Sequence, residues 1–149
     1  MGLLWVGSSL DYRKASGRRD NARVASEGEH RVLRVGGISY LRIPAEDPHR
    51  SAAFYEAVFG WRVRADRDDP AFEDGTGHVI GHFRSDHQTA GEAGVRPYIF
   101  VERLDEALER VVAEGGEVVT APYPEGDLSV ALIRDPSGNV IGVWQHGPS

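Results

Sequence analysis

Three histidines lie close together in the middle of this chain, His78, His82 and His87, and there is no cysteine to offer a metal or act as a thiolate nucleophile. Any metal site must therefore be built from His, Asp and Glu. His78 and His82 are four apart on a predicted strand, so they share one face with Ile80, and His87 falls in the segment that follows. A zinc-like site needs three or more imidazole or carboxylate donors. His30, His49 and His146 have no acidic or histidine neighbour at ligand spacing, so the histidines read as surface groups or satisfied packing. The second available chemistry is that of rings and guanidinium groups. Side chains alternate along a strand, so Tyr40 shares a face with Arg42, and Arg96 with Tyr98 and Phe100. On two later strands Gly81 goes with Phe83 and Gly142 with Trp144. Rings favour a flat or apolar guest, each contact contributing roughly 0.5 to 1.5 kcal/mol beyond area. A guanidinium stacks on a ring or grips a carboxylate or phosphate at two points. A tyrosine with its ordinary pKa of about 10 acts as a general acid only beside a cation, which Arg42 or Arg96 would supply.

These residues sit in a chain that repeats itself. Gly77-His78-Val79-Ile80-Gly81-His82-Phe83 returns as Gly138-Asn139-Val140-Ile141-Gly142-Val143-Trp144, and Tyr40-Leu41-Arg42-Ile43 returns as Tyr98-Ile99-Phe100-Val101. Each opening strand is followed by a helical pattern, a glycine stop and short strands, which makes the unit βαβββ. In the first unit Gly37 to Ile43 predicts a strand. Asp47-Pro48 then starts a helix whose face carries Phe54, Tyr55, Val58 and Phe59, and Gly60 stops it. Strands follow at 61–65, from Ala71, and at 78–84, with a turn at Asp74-Gly75-Thr76-Gly77. Residues 85–95 have no period and read as a linker. In the second unit a strand at 97–101 precedes a helix from Leu104 to Glu114 expected to bury Leu104, Leu108, Val111 and Val112, its start weakened by Arg103 at the cap. Strands are expected at 117–120, 128–134 and 139–145, with a proline-stiffened loop from Pro122 to Gly126 and a turn at Asp135-Pro136-Ser137-Gly138.

Composition narrows the function classes. The 149 residues suit one domain and the net charge is −6, which argues against a nucleic-acid partner and for a small-molecule ligand. Residues 1–34 hold seven basic against four acidic side chains and the remainder ten against nineteen, so a basic, disordered leader is expected ahead of an acidic body at 35–149. The leader reads as a passive tail, with a tether to an acidic partner as the functional alternative. No stretch approaches the roughly 20 apolar residues that cross a bilayer, so the expectation is a cytoplasmic protein with no membrane partner.

Two motifs then carry a resemblance. Ser51-Ala52-Ala53-Phe54-Tyr55-Glu56-Ala57-Val58-Phe59-Gly60-Trp61, together with Asp135-Pro136-Ser137-Gly138-Asn139, resembles the vicinal-oxygen-chelate superfamily of glyoxalase I, bleomycin and fosfomycin resistance proteins and extradiol dioxygenases. The resemblance covers residues 36–146. It implies an α+β fold of two βαβββ modules, about 36–84 and 96–146, whose mixed sheet curves around a central cleft. Metal-using members hold one divalent ion from the first and last strands of each module. The matching positions here are Ile38, Arg96, Gly81 and Gly142, none of them a ligand. No cofactor is therefore expected, and a divalent metal bound through His78, His82 or Glu73 is the alternative. The cleft should be lined by Tyr40, Arg42, Gly81, Phe83, Arg96, Tyr98, Phe100, Gly142 and Trp144, with His78 and His82 looking away from it and both glycines leaving gaps. The competing reading packs the rings on one another and neutralises the arginines with Glu73 or Glu125. The resemblance implies a metal-free protein that binds a partly aromatic or anionic compound and pairs as a homodimer. The alternative is a glyoxalase-like lyase, isomerase or dioxygenase using a metal or a tyrosine acid.

Overall fold

The computed structural model describes residues 31–89, 91 and 94–148, so nearly all of the expected leader lies outside the described residues. Its elements run β1 (Tyr40–Pro44), α1 (Pro48–Phe59), β2 (Arg62–Arg64), β3 (Ala71–Glu73), β4 (Ile80–Arg84), β5 (Tyr98–Phe100), α2 (Leu104–Ala113), β6 (Glu117–Glu125), β7 (Leu128–Arg134) and β8 (Val140–His146). The four strands of each half form one sheet, ordered β1-β4-β3-β2 and β5-β8-β7-β6. In each, the first and last strands of the module pair in parallel and the other neighbours are antiparallel. The chain is thus α+β and built twice on the βαβββ plan.

Local chemistry explains the helices. The Asp47 carboxylate accepts the Arg50 backbone N–H at 3.0 Å, Pro48 pre-sets the first turn, and Gly60 closes α1 in the left-handed region at φ 67°. At α2 the Arg103 side chain makes no capping bond, and the Gln145 amide oxygen instead accepts the Leu104 N–H at 2.6 Å from across the second sheet. This helix buries Leu104, Ala107 and Val111. The expectation for Val112 is corrected: it is 60% exposed, because one position past Val111 rotates it about 100° off the buried stripe.

A single hydrophobic core takes Phe54, Tyr55 and Val58 from α1, Phe72 and Phe83 from the first sheet, Leu104 and Val111 from α2, and Ala131, Ile133 and Val143 from the second sheet. Each sheet therefore gives one face to this core and leaves the other open. The halves are also latched by hydrogen bonds at the turn between β7 and β8. Asp135 accepts the Tyr55 hydroxyl at 3.1 Å, Asn139 donates to the Pro44 carbonyl at 2.7 Å, and Ser137 meets the buried Ser51 hydroxyl at 2.8 Å. Burial drives the Tyr55 pKa well up, and the neighbouring Asp135 adds to the rise.

Residues 122–125 of the expected loop are instead the end of β6, and of that loop Gly126 alone stands in the turn that follows. Pro122 and Pro124 are tolerated because β6 is the edge strand of its sheet, and its pairing with β7 shifts register between Val118 and Thr120 and between Thr120 and Tyr123.

Candidate functional site

The open face of each sheet can be read directly from strand register, because cross-strand partners share a face. On the first sheet one row runs Arg42, His82, Ala71, Arg64 and the next Tyr40, Ile80, Glu73, Arg62. On the second sheet the rows are Phe100, Trp144, Val130, Tyr123 and Tyr98, Gly142, Leu132, Thr120. One face is made mainly of arginine, tyrosine and histidine, the other of aromatic and aliphatic groups.

Of the residues expected to line a cleft, Tyr40 and Arg42 lie on the first open face, and Tyr98, Phe100, Gly142 and Trp144 on the second. Arg96 is half-buried just ahead of β5 and already engaged. Gly81 and Phe83 are corrections. Phe83 is 0% exposed, packed 5.3 Å from Tyr55 and 5.1 Å from Phe72 on the core side, and a Cβ at Gly81 would run into the Phe72 ring and the Leu41 carbonyl. The gap expected at Gly142 is likewise filled, by the ring of Tyr98 lying over it.

His82 is the residue missed. Expected to look away from Tyr40, it shares its face and accepts or donates a hydrogen bond at 2.8 Å between its Nδ1 and the Tyr40 hydroxyl. The cause is one residue. The turn before β4 closes from Asp74 N–H to the Val79 carbonyl, whereas the turn before β8 closes from Asp135 N–H to the Asn139 carbonyl, one position sooner. The glycines at 77 and 138 bond back identically to Asp74 and Asp135. His78 is the extra residue, held in the turn by the Asp74 carboxylate rather than standing on the strand as expected. A one-residue slip turns every following side chain to the other face, so His82 takes the position of Gly142 and Arg84 that of Trp144. The sequence carries no signal of this slip, because Asp74 stands as far ahead of Gly81 as Asp135 does ahead of Gly142; only the hydrogen bonds that close the two turns differ.

The electrostatics of the two faces differ. Arg62 pairs with Glu73 at 2.8 Å, and Arg84 with Asp69 at 3.0 Å and Asp86 at 2.6 Å. Arg42 is exposed and has no carboxylate partner among the described residues. His82 is half-buried and its pKa is lowered from the ordinary value, first by burial and then by Arg84. On the second sheet Tyr98 is 48% and Phe100 53% exposed, and Phe100 meets Trp144 edge to face, 4.9 Å between centroids. A groove of about 470 Å³ lies at the outer end of this sheet, against Tyr123, Leu128 and His146.

The sequence model of the Glyoxalase/Bleomycin resistance protein/Dioxygenase superfamily matches residues 37–143. The chain belongs to this superfamily. CFP32 of Mycobacterium bovis, named as a candidate glyoxylase, is 26% identical over 125 residues, which are 75% of this chain and 46% of that protein. The chain thus spans about half the length of the curated relatives it matches. Among solved structures, the fosfomycin resistance protein FosX from Mesorhizobium loti superimposes with a TM-score of 0.62 at 17% identity, covering 75% of this chain and 93% of that one. TnmS3, an antibiotic binding protein from Streptomyces sp. CB03234, gives 0.61 at 19%, covering 77% and 99%. At these identities the likeness is one of fold.

The divalent ion of the metal-using members of this superfamily does not fit the side chains present. Gly142 lies under Tyr98, its counterpart His82 is a single imidazole already bonded to Tyr40, and no group of three or more His, Asp, Glu or Cys among the described residues is placed to hold an ion. No helix among them is long and apolar enough to cross a membrane.

Proposed function

We propose that this member of the glyoxalase/bleomycin resistance superfamily is a metal-free binding protein for a small, partly aromatic or anionic compound, and that equilibrium binding is its activity. The observation that carries the reading is the exposure of Tyr98 and Phe100 beside Trp144 on an open sheet face, where a flat guest would find rings on several sides. Arg42, without an acid of its own, offers the charge for a carboxylate or phosphate. The antibiotic binding protein and the fosfomycin resistance protein of the same fold lend support by analogy.

The same reading includes a homodimer. An aromatic face on one sheet and an arginine-bearing face on the other are complementary surfaces, and a second copy would set one opposite the other with the guest held between rings and guanidinium groups.

A panel of aromatic acids and neutral aromatics, followed by tryptophan emission and thermal shift, tests the binding. The expected result is saturable quenching for some members, lost in Trp144→Phe, and affinity about tenfold weaker in Phe100→Ala. Unchanged emission and melting across the panel would sink it.

A further inference from the structure

On the first sheet the row Arg42, His82, Ala71, Arg64 places an imidazole between two guanidinium-bearing strands, and the one short side chain in the row, Ala71, stands between His82 and Arg64. We propose that this row is an oxyanion site, taking a carboxylate or phosphate group with His82 and Arg42 as donors, and that binding there tightens as the pH falls. The inference rests on the small-molecule reading above and says which group of the guest goes where.

The geometry gives each residue its part. Tyr40 bonds His82 Nδ1 at 2.8 Å and so fixes the ring, leaving Nε2 to address a guest. Arg84 is tied to Asp69 and Asp86, so it lends field rather than a free fork. Arg42 is exposed, with no carboxylate partner among the described residues, and is the residue able to reach an oxyanion at two points.

The groups that face His82 are Tyr40 and Arg42 on β1, Arg84 on its own strand, Glu73 on β3, Arg64 on β2, and Arg67 and Asp69 between β2 and β3. Burial, Arg84, Arg64 and Arg67 lower its pKa from 6.5 and Asp69 alone raises it. Glu73 is occupied by Arg62. An anion seated on this row adds a second negative neighbour and raises the imidazole pKa, so proton and anion bind with mutual help. The sign follows: affinity is level above the pKa of the anion-bound imidazole, climbs as pH falls through it by at most tenfold per pH unit for one proton, and levels again below the lowered pKa of the empty site.

Benzenesulfonate, which stays anionic throughout, is titrated calorimetrically into the full chain at about pH 7.5 and pH 5.5, with benzamide as the neutral control and imidazole NMR signals followed in parallel. The expected result is binding several-fold tighter at the lower pH, a shift of the His82 resonance, no pH effect for benzamide, loss of the slope in His82→Gln, and about tenfold weakening at both pH values with the slope kept in Arg42→Gln. Benzoate and phenyl phosphate compared at neutral pH then separate carboxylate from phosphate. Benzenesulfonate binding that is pH-independent, or a slope that survives His82→Gln, overturns this site. In that outcome, tryptophan quenching by the aromatic panel would leave the binding reading standing. No binding by any compound overturns both.

Discussion

Gly81 and Gly142 match as letters of the repeat, yet they face opposite ways and meet different obstacles. A Cβ on Gly81 would collide with the Leu41 carbonyl and the buried Phe72 ring, and neither can retreat in a packed core. A Cβ on Gly142 would first meet the Tyr98 ring, which is half-exposed and can swing into solvent. Gly81→Ala is therefore expected to cost about 2 to 3 kcal/mol in chemical denaturation, and Gly142→Ala clearly less. Equal losses would show that both glycines face the same kind of wall. At this scale the letters were readable and the facing was not. Glycine reports that a Cβ is unwelcome, but which neighbour refuses it depends on strand pairing.

The element that joins the halves is the turn from Asp135 to Asn139. Asp135 accepts from the backbone of Ser137 and Asn139, from the Asn139 side chain and from Tyr55, while Asn139 also reaches the Pro44 carbonyl. Burial pushes the Asp135 carboxyl up, and the Asn139 side chain and the other donors oppose that rise. The two motifs that carried the family resemblance thus touch each other, which is why both sets of residues are needed at once. Tyr55→Phe is expected to cost about 1 kcal/mol and Asn139→Ala about 2 to 3, since the latter also strands a carbonyl. Because both bond Asp135, the double variant should depart from additivity by about 1 kcal/mol in a denaturation cycle. Strict additivity would mean that the latch does not act as a unit. The βαβββ order, the Asp47-Pro48 start and the Gly60 stop were all legible, because caps and turns are decided within a few residues. The continuation of β6 through two prolines was not, since proline's tolerance there depends on β6 lying at the edge.

Across the whole molecule the chain puts opposite chemistries on the open faces of two similar sheets. The proposed homodimer predicts a sedimentation mass near twice the chain's 16.3 kDa, falling toward a single chain in Phe100→Arg, which would set two arginine-bearing faces against each other. A single-chain mass for the unaltered protein at micromolar concentration would remove the pairing from the proposal.

The sequence by itself determined the duplicated plan, the helix boundaries and the motifs of the superfamily, because these depend on residue type and on spacing within a unit. Only the tertiary structure decided which side chains share a face. One additional turn residue, His78, displaces β4 by a single position, and alternation along a strand then sends Phe83 into the core and brings His82 out beside Tyr40. Spacing along the chain cannot tell a turn that absorbs a residue from a strand that begins one residue earlier; the hydrogen bonds that close the turn can.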